Sequence, residues 1–229
     1  QLYQAYKELN GGANPSSALM KCVVLNSADD LGNPGPDFKH GWGEINVLRG
    51  LTILENNNYE SGTISQGNDE DHIINVPAGT KEIKVMVYWH DKEASTNASI
   101  ALVNDLDITL TSPTGTIIYP WVLDPTPNSS ILNTPAIQGV DDLNNMEQVT
   151  IKNPAAGAYT LTINGTAVPY GPQQYFMTYE IKSNEITLTY PIGGEGLVPG
   201  EFELIRWDAP EDNNPFVLEY TLDNGLNWN

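Results

Sequence analysis

The chain has 229 residues, with 10 Lys plus Arg against 29 Asp plus Glu and a formal net charge of -19. A surface of that sign repels phosphate backbones and anionic lipid, which argues against nucleic acid and anionic membranes as partners. A single cysteine excludes an intrachain disulfide, and no run of about 18 apolar residues is present to cross a membrane as a helix.

Residues 1–58 are predicted to be the helical part. Leu2, Ala5, Tyr6 and Leu9 recur at helical spacing, and Gly11-Gly12 ends that helix. A second helix opens at Asn14-Pro15-Ser16-Ser17, with Asn14 as N-cap and Pro15 as first helical residue. The β-branched run Val23-Val24-Leu25 reads as a short buried strand. Cys22 beside it reads as a buried, inert thiol, because a reactive thiolate needs a positive, accessible setting. Asp29 to His40 is a loop. A third helix from Asn46 to about Asn56 places Val47, Leu48, Leu51 and Leu54 on one face. A segment this short and poor in strands is expected to pack on a surface outside the chain.

Residues 59–183 change period. Ile73–Val76, Glu82–Trp89, Leu106–Thr111, Gln148–Lys152, Ala158–Asn164 and Tyr175–Lys182 read as strands, with Ile83, Val85, Val87 and Trp89 on one face. Pro77-Ala78-Gly79, Ser112-Pro113-Thr114-Gly115 and Pro154-Ala155-Ala156-Gly157 mark turns between them. The chain is therefore predicted to be mainly β, with an antiparallel jelly roll or β-sandwich here. Residues 184–229 restart the strand pattern at Ile186–Tyr190, Phe202–Trp207 and Phe216–Leu222. Asp223-Asn224-Gly225 is a hairpin signal. That is too few strands for more than part of an immunoglobulin-like sandwich.

No Gly-x-Ser-x-Gly elbow, Walker loop or Rossmann fingerprint occurs. His40, His72 and His90 show no metal-ligand spacing and read as surface or packing residues. Three Asn-x-Ser/Thr matches, at Asn97, Asn128 and Asn164, are short enough to arise by chance. The acidic positions carry more. Asp105 and Asp107 alternate onto one face of a strand, where two carboxylates repel unless something screens them. His90-Asp91 and the run Asp141-Asp142-Leu143-Asn144-Asn145-Met146-Glu147 could converge on them. Calcium takes six to eight oxygens in irregular geometry, so separate loops can supply it. The plainer reading is a solvated acidic face.

Ala13-Asn14-Pro15-Ser16-Ser17-Ala18-Leu19-Met20-Lys21, Leu25-Asn26-Ser27-Ala28-Asp29-Asp30 and Pro36-Asp37-Phe38-Lys39-His40-Gly41-Trp42-Gly43-Glu44-Ile45-Asn46 resemble the end of a subtilisin catalytic domain. By that resemblance the helix from Gln1 to Leu9 is the tail of the one that carries the nucleophilic serine. The serine then lies about a dozen residues before Gln1, within one long helix, with the aspartate and histidine of the triad further upstream. No catalytic residue falls in this chain. Val87-Tyr88-Trp89-His90-Asp91, Leu102-Val103-Asn104-Asp105-Leu106-Asp107, Asn144-Asn145-Met146-Glu147-Gln148-Val149 and Pro154-Ala155-Ala156-Gly157-Ala158-Tyr159 resemble the jelly-roll domain that follows the catalytic domain in some bacterial subtilisins. They are similar in style to the P domain of kexin and furin relatives. Ile205-Arg206-Trp207 and Leu218 to Trp228 look like the start of an immunoglobulin-like module of exported Bacteroidetes proteins.

The resemblance implies three parts: residues 1–58 as the incomplete end of an α/β catalytic domain, 59–183 as the jelly roll, and 184–229 as the start of an immunoglobulin-like domain. It implies a secreted or cell-surface serine endopeptidase acting on peptide substrates, whose upstream catalytic domain packs on residues 1–58. It also implies calcium, with Asp91, Asp105, Asp107, Asn145 and Glu147 as candidate ligands. A stand-alone β-sandwich binding or adhesion module, with the helices as linker, and a structural subunit without protease activity are the alternatives.

Overall fold

The computed structural model describes residues 1–209 and 215–229, which form two compact units, 1–183 and 184–229. In the first, β1 (Tyr59–Ile64), β10 (Gln173–Lys182), β3 (Glu82–Trp89) and β8 (Met146–Lys152) make one antiparallel sheet in that order. The facing sheet runs β2 (Asp69–Val76), β9 (Gly157–Ala167), β4 (Asp105–Thr111) and β5 (Ile117–Ile118). A short ribbon joins β6 (Trp121–Val122) to β7 (Ile137–Gln138). The chain is mainly β, and its first unit is the antiparallel sandwich that the alternation predicts.

The core follows from that alternation. Ile83, Val85, Val87 and Trp89 project inward from β3 and meet Leu106, Ile108 and Leu110 of β4 and Leu161 and Ile163 of β9. Each such side chain contributes roughly 1.5–3 kcal/mol on full burial. The other face of β3 is buried too, at Lys84, Met86 and Tyr88, because a helical layer covers it.

That layer holds α1 (Leu2–Leu9), α2 (Ser17–Asn26) and α3 (Val47–Glu55). Leu19, Cys22 and Val23 of α2 pack with Ile53 and Leu54 of α3 on Met86, Tyr88 and Phe176 of the sheet. The surface expected to lie outside the chain is, for this side of α2, supplied within it. Three local expectations are corrected. Val23-Val24-Leu25 is helix, since the propensity cost of β-branched residues is a few tenths of a kcal/mol and burying Val23 on the sheet outweighs it. The N-cap is Ser16, whose hydroxyl accepts from the Ala18 amide at 3.2 Å. The first helical residue is Ser17 and not Pro15, so Asn14 lies two residues before the cap. On α3, Asn46 is the cap and accepts from Arg49 N at 3.0 Å, but the buried side is Arg49, Gly50, Ile53 and Leu54, and Val47 and Leu48 are exposed.

The second unit contains β11 (Thr187–Tyr190) paired with β12 (Arg206–Asp208). Phe216–Leu222 forms no strand, yet Tyr220 and Asn229 exchange backbone hydrogen bonds of 3.1 and 2.9 Å around the Asp223-Asn224-Gly225 turn. A ribbon this small has little to bury, and Phe202, Val217 and Leu222 stay exposed.

Candidate cation site

β8 closes one sheet at the margin where β4 and β5 close the other. β5 pairs only with Leu110 and Thr111, which leaves the start of β4 without a strand on that side. Glu147 fills the gap. It projects inward from β8, is fully buried, and its Oε2 accepts from Ile108 N at 2.8 Å. Its Oε1 has no hydrogen-bond partner. Asp105 and Asp107 alternate with the buried Leu106 and Ile108, as the spacing predicts. Asp107 Oδ2 accepts from the Thr166 hydroxyl, at a point where the β4–β9 register shifts to leave an extra residue on β9. Asp105 Oδ1 and Asp107 Oδ1 are buried and, like Glu147 Oε1, have no partner.

Three buried carboxylate oxygens without donors raise the cost of ionisation. Burial pushes Glu147 well above the usual carboxylate range, and Asp107, Asp141 and Asp105 add to the rise. Burial pushes Asp105 up to about 6, helped by Asp107, Asp142, Asp141 and Asp91. The same field identifies Asp141 and Asp142 as members of the group. Their signal in the sequence was the acidic pair opening the run to Glu147.

The two other predicted ligands brace the site. Asp91 Oδ1 accepts from Lys92 N and Asn104 N, both at 2.8 Å, and its Oδ2 accepts from Val103 N at 2.7 Å. Asn145 Nδ2 donates to Trp89 O at 2.7 Å. Asp141 accepts from Leu143 N, Asn144 N and Asn144 Nδ2. Among the described residues, no three His, Cys, Asp or Glu side chains form a metal-ligating group. The orphaned oxygens suit a hard cation, which takes oxygen ligands and offsets like charge.

The other chemically suggestive residues have structural partners. Cys22 is fully buried, with Sγ 3.6 Å from Met86 O and from Phe176 O, and burial pushes its thiol up to about 12. His40 meets Asp37 at 3.3 Å. His72 lies between the sheets at the margin of β1 and β2, bonded to Glu60 Oε2 at 2.7 Å and to the Tyr175 hydroxyl at 2.8 Å. Beneath the helices, Arg49 pairs with Asp29 and Glu180 at 3.2 and 3.5 Å, and Lys84 donates to Ala28 O at 2.5 Å.

No family model matches the chain. It is similar to the serine protease/ABC transporter B family protein tagA of Dictyostelium discoideum, at 26% identity over 176 residues. The match covers 72% of this chain and 10% of that protein, so the chain spans about a tenth of its curated relative. Among solved structures it is similar to Bacillus licheniformis lipase BlEst2 in propeptide form, with TM-score 0.34, 18% identity, and coverage of 55% of this chain and 21% of that one. Aeromonas hydrophila PliG, a periplasmic inhibitor of g-type lysozyme, gives TM-score 0.28 and 10% identity over 54% of this chain and 84% of that one. At these TM-scores neither neighbour informs on this chain. No described helix is long and apolar enough to cross a membrane.

Proposed function

We propose that the chain is a non-catalytic C-terminal portion of a secreted subtilisin-like serine endopeptidase, and that its sandwich braces the catalytic domain and is itself stiffened by calcium. The observation that carries this reading is the apolar surface that the helical segment leaves open. The sheet side of α2 is covered, and Met20 and Leu25 pack against that cluster yet stay half-buried, as does Val24. Tyr3 and Leu9 of α1, Val47 and Leu48 of α3, and Phe38 and Ile45 of the loop before α3 are exposed in the same segment. An exposed apolar patch marks a contact surface, and an upstream α/β domain would cover this one. The similarity to a serine protease over most of the chain supports the same partner.

In this reading the chemistry lies upstream: a serine attacks the peptide carbonyl, a histidine carries the proton, and backbone donors hold the oxyanion. Here Asp105 Oδ1, Asp107 Oδ1 and Glu147 Oε1 would hold Ca²⁺, which would neutralise three carboxylates that otherwise repel.

Two measurements test the two halves. A protein extended upstream of Gln1 is expected to cleave a protein substrate and to lose that activity to a serine-directed covalent inhibitor, whereas residues 1–229 alone cleave nothing. Extended protein without serine-dependent cleavage would refute the protease reading. Calorimetric titration with CaCl₂ is expected to show binding that Asp105→Asn weakens; no heat above dilution would refute the calcium reading.

A further inference from the structure

We infer that the cation site and the helical layer are coupled through the paired ends of β3 and β8, so that filling the site holds α2 against the sheet. This rests on the cation reading above. Strand alternation puts the two functions back to back. On β8, Glu147 points into the site while its neighbour Met146 points out to the helices; on β3, Trp89 points in and Tyr88 out. The register pairs Tyr88 with Met146 and Val87 with Glu147. Tyr88 and Met146 belong to the cluster that seats Leu19, Cys22 and Val23, and the Lys21 ammonium lies 4.4 Å over the Tyr88 ring.

Backbone and side-chain bonds make the pair of strand ends a single piece. Trp89 N donates to Asn145 O at 3.2 Å, and Asn145 Nδ2 returns a bond to Trp89 O at 2.7 Å. Trp89 Nε1 donates to Asn104 O at 2.8 Å, and Asn104 N donates to Asp91 Oδ1 at 2.8 Å. Glu147 Oε1, Asp105 Oδ1 and Asp107 Oδ1 are buried without hydrogen-bond partners, and Glu147 is tied to β4 through Ile108 N. A cation held by Glu147 therefore fixes the strand end that carries Met146 and, through the register, Tyr88. Close-packed interiors transmit such shifts.

Cys22 reads this coupling directly. It is the sole thiol, on the sheet side of α2 and fully buried, so it reacts only when the helix lifts. Its modification by a disulfide reagent is followed under native conditions in cation-free buffer and in saturating CaCl₂, with Ca²⁺ binding measured separately by calorimetry. Calcium is expected to slow the reaction about tenfold, within the usual range of coupling between sites. Met146→Ala is expected to bind Ca²⁺ as before and to lose most of that slowing. Ile74→Cys in a Cys22→Ser background reports opening of the far sheet, and calcium is expected to slow it by a smaller factor. An unchanged Cys22 rate in protein that binds Ca²⁺ overturns the coupling and leaves the cation site standing. Equal slowing at both positions also overturns it, because calcium then acts only on global unfolding. No calorimetric binding overturns both.

Discussion

Glu147→Gln separates a paired carboxylate from an orphaned one. The side chain is fully buried, one oxygen accepts from Ile108 N, and the other has no donor while three acidic neighbours raise the cost of its charge. Glutamine can keep the bond to Ile108 N with its carbonyl and turn its amide toward the orphaned oxygens of Asp105 and Asp107. Relieving a buried unsatisfied group is worth about 1–3 kcal/mol. For a chain of this size each kcal/mol moves Tm by about 2–4 °C. In cation-free buffer near neutral pH the variant is expected to melt a few degrees higher than wild type, by calorimetry or circular dichroism. In calcium the order reverses, because the variant lacks one anionic ligand. A variant that melts several degrees lower without calcium would refute the reasoning, since Glu147 Oε1 would then be engaged in the native state.

Two further outcomes follow from the same geometry. Folding raises Asp105 to about 6, chiefly by burial and then by Asp107, so its stabilising contribution is present at acid pH and is lost as pH rises through about 6. About two units correspond to at most about 3 kcal/mol, and screening of a partly exposed carboxyl reduces this to about 1 kcal/mol. In cation-free buffer the Tm of wild type relative to Asp105→Asn is expected to fall between about pH 4 and 6; a flat or rising difference would contradict the burial. Gly62→Ala drives a Cβ into the Tyr175 hydroxyl, which is bonded to His72. Urea denaturation is expected to show a loss of about 1–3 kcal/mol from overpacking, and a loss near zero would mean that β1 does not approach Tyr175 so closely.

The sandwich was legible because inward residues alternate on β3 and β4, a pattern that depends only on strand period. The helical layer was less so. Val23-Val24-Leu25 has the composition of a strand, and only its place over Met86 and Phe176, more than 60 residues on in the chain, makes it helix. On α3, Val47 and Leu54 share a face, yet Val47 opens the helix and stays exposed while Leu54 is buried, so periodicity alone could not show which part of that face is covered. β1, β5, β6 and β7 escaped notice: β1 lacks strong alternation, and the others are two residues long. The acidic site was half visible. Spacing put Asp105 and Asp107 on one face, but that Asp91 turns its oxygens to backbone amides while Glu147 keeps one empty depends on where the loops run.

The bond between Glu60 and His72 bears on how copies of this chain meet. β1 and β2 are the outermost strands of their sheets, and unpaired strand margins invite another chain to add to them. Here the margin is occupied by Glu60, Asp69, Glu70 and Asp71, with His72 stitching one sheet to the other. A second copy approaching edge-on would bring the same carboxylates against these. The stitch also keeps the sheets from parting to expose Ile64 and Ile74 behind it. This side of the sandwich therefore resists the edge-to-edge growth by which β proteins become fibres.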